Sequence, residues 1–154
     1  MKIIFIGDVV GKQARETLIK KISDIKNNFK PDVFIVNAEN AASGYGLTKK
    51  IAVQLFESGV DVITLGNHAW DQKEMLSYIE ECPKIIRAIN YPNNVPGRGY
   101  YELQLYDDRK LVIVQVMLRL FMGMSLDDPF NTTKNFLQTQ KLGTTCNAIL
   151  IDMH

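Results

Sequence analysis

Four places in the chain carry side chains fit for metal binding or proton transfer directly after an apolar run. Asp8 follows Ile3-Ile4-Phe5-Ile6-Gly7, and the pair Glu39-Asn40 follows Val33-Phe34-Ile35-Val36. Asn67-His68 follows Val62-Ile63-Thr64-Leu65-Gly66, and His154 follows Ala148-Ile149-Leu150-Ile151-Asp152-Met153. Carboxylate, amide oxygen and imidazole are ligands for divalent metals of the Mn, Fe or Zn kind. A carboxylate can bridge two ions about 3.5–4 Å apart, the spacing of two-metal hydrolytic sites, which polarise a phosphoryl oxygen and activate water near neutral pH. Glu39, set among Ala38, Ala41 and Ala42, is the best bridging candidate.

Each of these residues also has a plainer reading. Asp8 is a residue type that caps helices. Asn40 is a type that accepts turn conformations, and His154, as the last residue, is open to fraying. Glu39 resists such a reading, because an unpaired carboxylate at the mouth of a buried strand is costly.

The elements that must position them follow from periodicity. Lys2 to Ile6 reads as a continuous apolar strand inside a parallel sheet. Ala14, Leu18, Ile19, Ile22, Ile25 and Phe29 mark one face of a helix that Pro31 limits. Asp32 to Asn37 is a second strand. Thr48 is the expected N-cap of a helix carrying Ile51, Leu55 and Phe56, closed at Gly59. The third strand ends at Gly66, and a helix is expected from Gln72 to Glu81. This β-α-β-α-β-α order predicts a parallel sheet with right-handed crossovers. In such a sheet the strand ends share one edge, which is where ligands bind.

Ile85 to Ile89 is a candidate fourth strand, and Asn90 to Gly99 is loop. Tyr100 to Tyr106 and Lys110 to Val116 alternate on either side of Asp107-Asp108, as an antiparallel hairpin does. Met117 to Asp128 reads as loop with some helix. A short helix follows Pro129, and Ala148 to Ile151 is a last, returning strand.

Composition narrows the classes. The chain has 154 residues, expected to form one domain, and is 46% hydrophobic, enough for a real core. A net charge of +1 gives no bulk electrostatic signal for nucleic acid. Two cysteines at no metal-like spacing fit a reduced, cytoplasmic location. No apolar run approaches a membrane span. Other phosphate-site patterns fail. Gly7 to Lys12 is short of a P-loop, and Gly44-Tyr45-Gly46 lacks the context of a dinucleotide fingerprint.

Three motifs then stand in order: G-D-V-V-G at Gly7 to Gly11, A-E-N-A-A-S-G-Y-G at Ala38 to Gly46, and G-N-H-A-W-D at Gly66 to Asp71. With R-G-Y at Arg98 to Tyr100, D-P-F at Asp128 to Phe130 and D-M-H at Asp152 to His154, the chain resembles the calcineurin-like metallophosphoesterases. Within them it is most similar to the YmdB-type cyclic-nucleotide phosphodiesterases, where Glu-Asn replaces the usual Gly-Asp of the second motif and the first motif lacks its histidine.

The resemblance implies an α/β/β/α sandwich. This chain would supply its N-terminal portion, a parallel β-α-β-α-β half plus a hairpin and a returning strand. It implies two divalent metal ions, Fe, Mn or similar. Asp8, Glu39, Asn40, Asn67 and His154 match the metal ligands, Glu39 bridging, and His68 matches the catalytic acid. Family members continue into a late G-T-H-T-H segment that adds two metal-binding histidines, and this chain ends before it. Leu118 also stands before Arg119 where the family usually has glycine.

The expected function is therefore metal-dependent hydrolysis of phosphodiester bonds. The implied substrate is a small nucleoside cyclic phosphate, as in a 2',3'-cyclic nucleotide phosphodiesterase. The rivals are a truncated, non-catalytic remnant or binding module, and a metal-free, Rossmann-like nucleotide binder. An incomplete second sheet would leave apolar surface open, which favours a homo-oligomer.

Overall fold

The computed structural model describes residues 1–154. Strands β1 (Ile3–Ile6), β2 (Val33–Asn37), β3 (Val62–Thr64) and β4 (Ile85–Ile86) form a parallel sheet in the order β1-β2-β3-β4. Helices α1 (Gly11–Phe29), α2 (Lys49–Glu57) and α3 (Met75–Glu81) make the crossovers. A second sheet of order β5-β6-β7 joins β5 (Tyr100–Gln104) and β6 (Lys110–Val116) as an antiparallel hairpin. Strand β7 (Ala148–Met153) lies parallel to β6, and helix α4 (Pro129–Thr139) precedes it.

Strand alternation sorts the side chains into layers. On one face of the parallel sheet Phe34, Val36, Ile63 and Leu65 pack with Leu18, Ile22, Leu55, Met75 and Ile79 of α1–α3. On the other face Val33, Ile35, Val62 and Ile86 meet Leu111 and Ile113 of β6. The far side of β6, Val112, Val114 and Val116, packs with Phe136 of α4. The result is the α/β/β/α sandwich. The shared layer between the sheets is why β2 is buried along its whole length.

Several expectations need correction. The first strand lies at the edge of the sheet, with Phe5 partly exposed, rather than inside it. That position also argues against a Rossmann-like sheet, whose first strand is central. The fourth strand stops at Ile86, because Arg87 N–H donates to Arg98 O and Ile89 N–H to Gln115 O, drawing the chain toward the second sheet. Helix α3 starts at Met75 instead of Gln72. Gln72 Nε2 donates to Tyr45 O and Glu74 Oε1 accepts from Lys49 N–H, so tertiary contacts hold the first residues in turns. Met117 to Asp128 contains no helix. No helix is long and apolar enough to cross a membrane.

Candidate metal centre

The carboxyl ends of β1, β2 and β3 converge as the parallel order requires. Val9 N–H donates to Asn37 O, Gly11 N–H to Asn40 O, and Ala38 N–H to Thr64 O, so three consecutive strand ends are laced together. His154 reaches the same place from the second sheet, not from the parallel sheet as the shared-edge argument expected. Its N–H donates to Val116 O and its carbonyl accepts from Leu118 N–H, which pins the residue against β6. Strand pairing, absent from the sequence pattern, is what keeps it from fraying.

Glu39 is the hub and is only 2% exposed. Its Oε1 receives a hydrogen bond from His154 Nε2 at 2.8 Å and one from Asn40 Nδ2 at 3.3 Å. Its Oε2 accepts from the His68 backbone N–H at 3.0 Å. Asn67 Oδ1 lies 3.2 Å from His154 Nε2, and Asp8 Oδ1 accepts from Asn40 Nδ2 at 2.7 Å. All five expected ligands therefore meet around one carboxylate. Asp8 does not cap α1, whose N-cap is Val10 without a side-chain bond; it sits at φ +27°, a left-handed conformation held at the site.

Burial pushes the Glu39 carboxyl up, but the His154 hydrogen bond, the His68 backbone N–H and the histidine charges outweigh it. Its pKa falls below the usual value. The hydrogen bond with Glu39 raises the His154 pKa against the opposing effect of burial. Each partner thus favours the charged form of the other.

The donor chemistry fits divalent ions. Two carboxylates, one imidazole and two amides supply hard oxygen and borderline nitrogen, and each amide can turn its oxygen inward. No three His, Cys, Asp or Glu side chains are arranged to hold an ion by themselves. Gly66 shapes the cradle: a Cβ there would run into the Glu39 carboxylate and His154 Nε2. The space that a side chain would fill lies against Glu39 and His154.

His68 stands beside this group, about a third exposed. Its Nδ1 is 2.6 Å from Asp71 Oδ2, and the Tyr45 ring meets it edge-on at 5.9 Å. In the sequence Asp71 has no assigned role and Gly66 only ends the third strand. The signal for Asp71 was its position three residues after His68 in a turn. That for Gly66 is a glycine between an apolar strand and the polar pair Asn67-His68.

The chain is 42% identical over 154 residues to a 2',3'-cyclic-nucleotide 2'-phosphodiesterase of Bacillus subtilis, covering all of this chain and 57% of that protein. It is 31% identical over 160 residues to a putative phosphatase/phosphodiesterase of Mycoplasma genitalium, covering 55% of it. Among solved structures, a hypothetical protein from Thermus thermophilus superposes with a TM-score of 0.89 at 38% identity, over all of this chain and 57% of that one. A phosphatase of Mycoplasma pneumoniae superposes with the same TM-score at 29% identity, over all of this chain and 55% of that one. The chain spans a little over half the length of these relatives. The family described as YmdB-like protein matches residues 4–154, and the chain belongs to that family.

Proposed function

We propose that this segment carries the greater part of a metal-dependent phosphodiesterase site whose substrates are nucleoside cyclic phosphates. The observation that carries the reading is the convergence of Asp8, Glu39, Asn40, Asn67 and His154 around the Gly66 cradle, with His68 at its rim. The relative named as a 2',3'-cyclic-nucleotide phosphodiesterase supports the choice of substrate.

Bound there, two divalent ions supply Lewis-acid polarisation of a phosphoryl oxygen and a water of lowered pKa. Glu39, whose ionised form His154 and the His68 backbone N–H favour, would hold the ions with a negative charge. Asn40 and Asn67 would add neutral oxygens, which offset less of the ions' positive charge than carboxylates would. His68 lies outside the ligand set. With Nδ1 held by Asp71, its Nε2 is the atom left to give a proton to the departing ribose oxygen.

The test is hydrolysis of 2',3'-cyclic AMP by the full-length gene product with Mn²⁺ added and after chelation. Turnover that follows the metal supports the reading; turnover indifferent to chelation refutes it.

A further inference from the structure

Beneath the ligands, between the two sheets, lies a polar layer in an otherwise apolar stack. Asn37 continues the face of β2 that carries Val33 and Ile35, and Asp152 continues the face of β7 that carries Ala148 and Leu150. Asn37 is 3% exposed, and its side chain makes three hydrogen bonds. Its Nδ2 donates to Leu65 O at 3.2 Å and to Asp152 Oδ2 at 3.3 Å, and its Oδ1 accepts from Glu39 N–H at 3.4 Å.

These contacts fall on three different segments of the candidate site. Glu39 is two residues after Asn37. Leu65 leads through Gly66 to Asn67 and His68, and Asp152 is two residues before His154. One buried amide therefore ties the end of β2 to the end of β3 within a sheet and to the end of β7 across the gap between sheets. The cross-sheet tie matters most, because β7 shares no backbone ladder with the parallel sheet. A neutral amide suits the place. It donates twice and accepts once, whereas an aspartate could only accept and would set two carboxylates against each other.

We propose that Asn37 is the positioning residue of the centre, holding Glu39, the Asn67-His68 turn and His154 at fixed separation without touching substrate. The proposal rests on the phosphodiesterase reading only for its catalytic consequence, and the geometric tie stands apart from it.

The experiment compares the full-length gene product with Asn37→Asp, Asp152→Asn and the double variant. Turnover of 2',3'-cyclic AMP, Mn²⁺ affinity and amide hydrogen exchange are measured at a temperature where all four are folded. Asn37→Asp is expected to lower kcat and metal affinity about 10–100-fold, the usual cost of losing a residue that orients metal ligands, with KM nearly unchanged. Its amides at Glu39, His68 and His154 should exchange faster, while those of α1 should not. Asp152→Asn keeps an acceptor for Asn37 and should be mild. The double variant swaps the two groups, so that an amide on β7 donates to a carboxylate on β2. It should recover part of kcat and of the exchange protection. Asn37→Ser covers the case in which Asn37→Asp does not fold, with the same loss expected. Unchanged exchange at those amides, or a kcat equal to the parent's in Asn37→Asp, would overturn the proposal. A parent without metal-dependent turnover would refute the functional reading instead, and the exchange data would still decide the tie.

Discussion

His154 Nε2 lies 2.8 Å from Glu39 Oε1, although the two residues end strands of different sheets. The sandwich is what makes this contact: β7 pairs with β6, β6 packs on β2, and β2 delivers Glu39. On this account Glu39 bridges two ions. Glu39→Gln preserves shape and removes the charge, so at least one ion should leave. Metal analysis after dialysis is expected to find one ion or none per chain, and two retained ions with full turnover would rule out the bridge.

On the proposed reading His68 belongs to the rim and not to the ligand set. His68→Ala should lower kcat by about two to four orders of magnitude, the range for losing a general acid, with metal content unchanged. Metal lost together with activity would make His68 a ligand and the assignment wrong. Asp71→Asn should lower kcat less and leave KM near its parent value, because Asp71 orients the ring and does not touch the phosphate.

Gly66 gives a steric test. The Cβ of Gly66→Ala would collide with the Glu39 carboxylate and His154 Nε2, and overpacking of this kind costs about 1–3 kcal/mol. A lower melting temperature and much weaker Mn²⁺ binding are expected in the same protein. Parent-like binding by calorimetry would mean that the ions sit elsewhere.

The Glu39–His154 pair sets a pH dependence. In the metal-free protein the His154 pKa lies above 6.5, raised first by its hydrogen bond with Glu39. A cation must displace that proton. Mn²⁺ affinity should therefore be full above the raised pKa and fall as pH drops through it, the decline beginning above 6.5. The His154 contribution to the stability of the metal-free fold has the opposite sign. The raised His154 value contributes fully below 6.5, and that contribution fades as pH rises through the raised value. The lowered Glu39 value contributes above 4.5, and is lost as pH falls through the lowered value. Calorimetry and melting curves across this range check both signs, and a flat Mn²⁺ affinity would contradict the displacement.

The parts of this site legible in the sequence were those written locally. A buried strand that stops at Gly66 and presents Asn67 and His68 signals its role through burial and turn chemistry, and the alternation of strands and helices up to Glu81 carries the parallel sheet. What pairs at long range was not legible. That β1 takes the edge depends on strand order, which periodicity does not encode. That His154 arrives from the second sheet depends on the pairing of β6 and β7. Asn37 reads as an ordinary end to an apolar strand, and only the neighbouring Leu65 carbonyl and Asp152 carboxylate reveal its contacts. The start of α3 and the stop of β4 are shifted by tertiary hydrogen bonds, from Gln72 to Tyr45 O and from Lys49 N–H to Glu74 in one case, and to Arg98 O and Gln115 O in the other.

On the proposed reading the convergence around Glu39 is a dinuclear hydrolytic centre. Counting tightly bound metal in the dialysed full-length gene product, and following 2',3'-cyclic AMP hydrolysis as a chelator strips it, tests this most directly. Two divalent ions per chain are expected, with turnover falling as they leave and returning when Mn²⁺ is restored. A protein that holds no metal at this site, or that hydrolyses the substrate equally well without it, would contradict the account.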